Sequence, residues 1–162
     1  MKTESKRIEY RRATVADVEV LVDYRIRFLN ELYNHPNDAE TDIVRRSLRK
    51  YFAEALAADV FVAWLTECNG RVIGTSGMVV WEFPARYGGT ESGRAGYILN
   101  MYTVPEARRK GVCTQLLKRL IDEARAKGLK YLHLHASKDG IRIYRKAGFV
   151  EPDQAELGLR LK

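Results

Sequence analysis

The sequence predicts a single α/β domain with a mixed sheet at its centre and helices packed against it. Three observations carry that expectation. Two early segments repeat apolar residues at helical spacing. Runs at 60–65, 72–83 and 97–104 are apolar enough to be buried strands. From residue 97 onward, strand and helix patterns alternate. A chain of 162 residues that is 46% hydrophobic suits one domain, 1–162, around one sizeable core.

Met1 to Arg7 (1–7) is polar and charged without an apolar stretch, and is expected to be a flexible tail. Ile8 to Ala13 reads as a first strand. Thr14-Val-Ala-Asp17 has the form of a capping box, with the shorter Asp in place of Glu, and starts a helix. Val18, Leu21, Val22, Ile26, Leu29 and Leu32 form its apolar stripe to about Tyr33, where Asn34-His-Pro-Asn37 breaks it. A second amphipathic helix is expected to face Ile43, Val44, Leu48, Tyr51, Phe52, Ala55 and Leu56 inward. Val60 to Leu65, the turn Cys68-Asn-Gly70 and Val72 to Phe83 make a hairpin. Gly74 and Gly77 predict a bulge in its second strand, or the close approach of another backbone.

Pro84 to Gly96 carries Gly88, Gly89, Gly93 and Gly96, has no periodicity, and is expected to be a long mobile loop of the kind that borders a site. Tyr97 to Val104 is the next strand. A helix follows to about Gly128, burying Val112, Leu116, Leu117, Leu120, Ile121 and Ala124. Leu132, Leu134 and Ala136 alternate with Tyr131, His133 and His135 in a further strand. Gly140, Ile143, Tyr144 and Ala147 have helical spacing, Gly148 stops that helix, and Phe149 begins a new strand. Within Glu156 to Lys162, Leu157, Leu159 and Leu161 alternate as in a final antiparallel strand.

The most informative stretch is Val104-Pro-Glu-Ala-Arg-Arg-Lys-Gly-Val-Cys-Thr114. An apolar strand runs into a basic loop that opens a helix, and around Gly111 and Thr114 the first helical N–H groups are free and open. Such groups, with the positive end of the helix dipole and Arg108, Arg109 and Lys110 nearby, form an anion site suited to phosphate. Alone, the segment also reads as an ordinary strand-to-helix turn with solvated basic residues.

A second segment adds specificity. Arg108-x-x-Gly111-x-Cys113 matches the pattern Arg/Gln-x-x-Gly-x-Gly/Ala. Ser137, Gly140, Tyr144, Gly148 and Phe149 match Asn-x-x-Ala-x-x-x-Tyr-x-x-x-Gly-Phe in register. With both motifs in order, the chain resembles the GCN5-related N-acetyltransferase (GNAT) superfamily over Tyr97 to Phe149.

The resemblance implies a GNAT-like fold whose central strands splay apart at the cofactor, with acetyl-CoA wedged between them. It implies main-chain contacts from Tyr102 and Val104 to the pantetheine arm, and N–H groups from Arg109 through Lys110, Gly111, Val112 and Cys113 to Thr114 holding the pyrophosphate. Arg108 belongs to the same motif. Tyr144 matches a tyrosine that often protonates the coenzyme A thiolate, and Ser137 stands where asparagine is common. Cys113 replaces a glycine or alanine. It reads as a small buried residue, although thiol pKa values fall near helix N-termini. Some relatives place a glutamate base six positions before the valine matched by Val104, which here is Ile98. Glu82, Asn100, His133 and His135 remain as candidates, and no base is assigned. Arg27, Phe28 and Glu31 lie where the first helix borders the acceptor pocket.

The implied activity is N-acetyl transfer from acetyl-CoA to a primary amine by direct attack in a ternary complex. The alternatives are a non-catalytic coenzyme A-binding protein and a basic nucleic-acid-binding domain. The net charge of +7 suits phosphorylated ligands, but no continuous basic tract or recognition motif points to nucleic acid. No metal is expected, because the two histidines on one strand lack a third ligand. No membrane partner is expected. The acceptor is a small-molecule, peptide or protein amine, a homodimer is possible, and two cysteines without a disulfide framework suggest the cytoplasm.

Overall fold

The computed structural model describes residues 7–88 and 90–161, so most of the expected tail, with Gly89 and Lys162, lies outside the described residues. The capping box at Thr14 forms as its sequence predicts. The Thr14 hydroxyl accepts the Ala16 N–H at 3.3 Å, and Asp17 accepts the Thr14 N–H at 2.8 Å. Asp17, 7% exposed, also takes both arms of the Arg11 guanidinium at 2.7 and 2.9 Å. One carboxylate thus joins strand β1 (Ile8–Arg12) to helix α1 (Val18–Tyr33). Hydrogen bonds from Arg11, then from Thr14, hold its pKa below the usual carboxylate range.

Asn34, in the left-handed region at φ 49°, ends α1. Asp38 caps helix α2 (Ala39–Ala57) by accepting from the Glu40 and Thr41 N–H groups. Strands β2 (Phe61–Cys68), β3 (Arg71–Glu82), β4 (Arg94–Thr103) and β5 (Leu132–Leu134) complete a five-stranded sheet in the order β1-β2-β3-β4-β5. Every neighbour pair is antiparallel except β4 and β5, which run parallel, so the sheet is mixed and open. Helices α1 and α2 cover one face, with Leu21, Val22, Phe52, Phe61 and Leu65 between them and the sheet. Helix α3 (Val112–Ala126) buries Leu117 and Leu120 on Val62, Met78 and Ile98 of the other face.

Of the two readings for the glycines of β3, the bulge forms. The β2–β3 register slips between Thr66 and Glu67, opposite Gly74 and Val72, so Ile73 is the extra residue. A second slip, between Thr75 and Gly77 opposite Tyr102 and Leu99, puts its extra residue on β4, where Asn100 adopts φ 55°. The nearest neighbours of Gly74 and Gly77 are side chains and not another backbone. A Cβ at Gly77 would stand 2.5 Å from Phe61 Cζ, and one at Gly74 would stand 2.8 Å from Val112 Cγ1. The neighbours approach because the side chains are missing.

Three expectations fail. Ile43 (56% exposed) and Tyr51 (40%) do not turn into the core. Helix α2 buries Thr41, Phe52 and Ala55, and packs Leu48 and Leu56 partly buried against the same core. No strand begins at Phe149, and 156–161 joins no β-ladder. Leu157, Leu159 and Leu161 are more than 80% exposed, because alternation buries residues only where a ladder partner exists. The loop expected over 84–96 is shorter, since β4 already starts at Arg94. It is also hydrogen-bonded, Phe83 N–H to Gly93 O at 2.9 Å, with Arg86 bridging Thr90.

The Asp17 junction yields a stability prediction. Asp17→Ala removes the cap partner and leaves Arg11 half-paired, and should cost about 2 kcal/mol in urea unfolding. Because the folded pKa of Asp17 is depressed, its contribution is present above the unfolded value of about 3.9 and is lost as pH falls below it. Asp17→Asn should therefore flatten the acid limb of the stability profile.

Candidate functional site

The parallel ladder β4–β5 pairs Gly96 to Ile98 with Leu132 to Leu134, and Gly96 N–H donates to Tyr131 O at 3.1 Å. Beyond Ile98, β4 continues to Thr103 while β5 ends, so the sheet opens into a cleft of about 1180 Å³. Its walls are the later half of α1, the start of α3, and the short helix α4 (Ile141–Lys146).

At one end the cleft meets the basic loop. Arg109 (φ 59°) and Gly111 (φ 80°) both adopt left-handed backbone, and space for a Cβ at Gly111 is empty to 4 Å. No side chain caps α3, and its first backbone bond runs from Gln115 N–H to Gly111 O at 3.0 Å. The N–H groups of Val112, Cys113 and Thr114 therefore have no helical acceptor, and all three residues line the cleft. The formal charges beside them are partly engaged. Arg108 donates to Glu31 at 2.6 Å and to Thr103 O at 2.9 Å, and Lys110 donates to Glu106 O at 2.7 Å.

Strand parity corrects one expectation. Val104 N–H is given to Ile73 O at 3.0 Å, and Val104 O accepts Ala107 N–H at 2.9 Å. Tyr102, opposite Thr75, shares that orientation, so the main-chain groups of Tyr102 and Val104 turn toward β3. Those of Met101 and Thr103 face the opening. The Tyr102 side chain is buried against Tyr24 and donates to Glu31 at 2.5 Å; burial, and then that hydrogen bond, push the phenol up to about 12.

Ser137 closes the turn before α4, its hydroxyl accepting the Gly140 N–H at 3.2 Å. Tyr144, 8% exposed, projects from α4 into the cleft and packs edge-on to Phe149. Burial, and then the neighbouring Cys113, raise its pKa well above the ordinary phenol value, so it keeps its proton. Burial pushes the Cys113 thiol up to about 11, opposite to the fall that a helix N-terminus suggested. Desolvation wins over the dipole there.

The base candidates separate cleanly. Ile98 is 2% exposed and packs under α3. Glu82 lies outside the cleft, and His133 is held between Trp81 and Tyr97, its pKa lowered first by burial. Asn100 lines the cleft with both amide atoms buried and unpartnered, but an amide is no base. His135 also lines it, 2.7 Å from Tyr97 Oη through Nδ1 and 2.9 Å from Glu156 through Nε2. Glu156 accepts from Nε2–H, so Nδ1 carries the lone pair and accepts the Tyr97 hydroxyl.

On α1, Glu31 is consumed by Tyr102 and Arg108, and Arg27 lies on the outer side of Tyr24. Sequence reasoning missed Arg25, which shares a helix face with Phe28, Leu29 and Leu32 and lines the cleft with them. Its spacing of three residues before Phe28 was the available signal. Among the described residues, no three His, Cys, Asp or Glu side chains group as metal ligands, and no helix is long and apolar enough to cross a membrane.

A thiol with a pKa near 11 predicts slow chemistry. At pH 8, iodoacetamide should modify Cys113 at least tenfold more slowly than a free cysteine, read by peptide mass spectrometry in the folded protein. A faster rate would contradict the buried environment.

Comparison with known proteins adds to this geometry. Residues 28–149, about three quarters of the chain, match the model of the Acetyltransferase (GNAT) family. A predicted acetyltransferase from Clostridium acetobutylicum, solved with acetyl-CoA, is 36% identical at a TM-score of 0.84, covering 94% of this chain and 96% of that one. A GCN5-related N-acetyltransferase from Ralstonia eutropha JMP134 shares the fold at 23% identity and a TM-score of 0.83, over 94% and 99% of the two chains. The chloroplastic GCN5-related N-acetyltransferase 6 of Arabidopsis thaliana is 33% identical over 61 residues, which are 36% of this chain and only 21% of that relative's length.

Proposed function

The chain belongs to the acetyltransferase (GNAT) family, and we propose that it moves the acetyl group of acetyl-CoA to a primary amine by direct attack in a ternary complex. The observation that carries this reading is the uncapped start of α3 at the end of a cleft that splits the sheet. Three N–H groups and an open Gly111 suit a pyrophosphate, and the gap-facing main chain of Met101 and Thr103 suits an amide-bearing arm. Lys118, Arg125, Arg142 and Lys146 line a cavity of about 370 Å³ beside it without a carboxylate, which adds to the attraction for phosphate.

The amine nitrogen attacks the acetyl carbonyl carbon, the C–S bond breaks, and the amine loses a proton while the sulfur gains one. A lysine-like amine has a reference pKa of about 10.4, so it must first be deprotonated. In this reading Tyr97 takes that proton on its oxygen as it passes its own to His135 Nδ1, and Glu156 stabilises the resulting imidazolium; the Tyr97–His135–Glu156 contacts support it. Tyr144, kept protonated by burial, donates a hydrogen bond to the sulfur as charge develops there. Cys113 is not the nucleophile. The unpaired Cys68 and Cys113 suit a reducing cytoplasm, with amines rather than nucleic acid or a membrane as partners. A homodimer is compatible with this reading.

The experiment is acetyl-CoA consumption against an amine panel, alongside calorimetric coenzyme A binding. Gly111→Glu should weaken coenzyme A binding at least tenfold by placing charge and bulk where the phosphates sit. Binding without turnover of any amine would instead support the non-catalytic coenzyme A-binding alternative. Tyr144→Phe and Tyr97→Phe keep their rings and should each lower kcat by on the order of tenfold or more with coenzyme A affinity little changed. Wild-type turnover in either variant assigns that residue to packing.

A further inference from the structure

The acceptor end of the cleft carries a cation with no counterion. Arg25 lies on α1, more than half withdrawn from solvent, and forms no hydrogen bond or ion pair among the described residues. Its guanidinium rests 5.5 Å from the Phe28 ring centroid, and the charged or ionisable groups it feels are the phenols of Tyr97 and Tyr33. Burial lowers its pKa from the ordinary value, and no carboxylate holds it up. Leaving such a charge unpaired is costly, and a fold that needed only the packing would have used an apolar residue.

Its place excludes a role toward the cofactor phosphates. Arg25 sits by Tyr97, where β4 and β5 are still paired. Val112, at the open start of α3, packs on Gly74 opposite Thr103, six residues farther along the strand, at most about 20 Å at ~3.3 Å per residue. The acid on the same helix is already neutralised, since Glu31 is held by Tyr102 and Arg108. A cationic amine therefore finds no free carboxylate on this wall, whereas an anion finds a free guanidinium.

We propose that Arg25 is a specificity-determining residue that binds a carboxylate carried by the acceptor amine, so that the acceptors are amino acids with apolar side chains. This rests on the acetyltransferase reading above and names the substrate class for that site. One planar fork matches one carboxylate in a bidentate pair. Phe28, Leu29, Leu32 and Tyr33 give the adjoining wall its apolar character. A phosphate, carrying about two charges, would find only a single cation here, because His135 is already turned to Glu156.

The test compares matched amines: phenylalanine with phenethylamine, leucine with 3-methylbutylamine, and 6-aminohexanoate with hexylamine, adding phosphoethanolamine. The wild-type protein should favour the carboxylate member of at least one pair by tenfold or more in kcat/KM. Arg25→Gln should erase that preference, chiefly through KM, and Arg25→Lys should restore part of it. A second readout needs no turnover: N-acetylphenylalanine titrated calorimetrically into the protein with coenzyme A should bind the wild type at least tenfold more tightly than Arg25→Gln. Equal or better use of the amines lacking carboxylate, a preference that survives Arg25→Gln, or a preference for phosphoethanolamine would overturn the assignment. If no amine is acetylated, the proposed function fails, and the titration still decides whether Arg25 binds a carboxylate.

Discussion

A parallel strand pair that stops pairing after three residues governs this molecule. Once β5 ends at Leu134, the edge of β4 from Leu99 to Thr103 must turn half of its main-chain groups toward an opening. Backbone donors and acceptors left in that position need a partner, so the gap is poised for a polar, extended ligand. A bulge at Asn100, in the pairing with β3, lies within the same stretch of β4. It rotates the strand so that Tyr102 packs against α1 while Thr103 keeps its main chain toward the cleft. The uncapped α3 then lies at the far end of the opening, where the chain leaves β4.

Much of this was legible in the sequence, and the places where it was not share a cause. The capping box, the glycine bulge and the buried face of α3 are local patterns whose partners lie close by, and they formed as their spacing predicts. Leu29 and Leu32 look like core, but they line the cleft, because periodicity reports which residues avoid water and not what covers them. The C-terminal leucines failed for a related reason, since alternation does not reveal whether a neighbouring strand is present. The main-chain parity of β4 depends on its hydrogen bonds to β3, and side-chain letters carry no record of that.

The strong positive balance of the chain also acquires a more specific meaning. Many guanidinium groups are committed at the surface: Arg12 to Asp59 and Glu123, Arg45 to Asp23, Arg49 to Glu19. Exposed pairs of this kind contribute little to stability each, and they lower the charge available for long-range attraction. What distinguishes the cleft is the imbalance left inside it. Its one acid on α1 is tied up with Arg108, while the Arg25 guanidinium and the first main-chain N–H groups of α3 have no hydrogen-bond or ion-pair partner among the described residues.

The segment after Phe149 gives the cleft an unexpected dependence on chain integrity. Backbone without ladder partners is what a protease accommodates, and 150–161 offers a run of it. Glu156 belongs to that run and is the group that keeps a proton on Nε2 of His135. A chain nicked before residue 156 would fold around the same core, yet its imidazole would be free to exchange tautomers and rotate away from Tyr97. Trimming of the tail during purification would therefore appear as a change in proton handling at the cleft, with no change in melting behaviour to announce it.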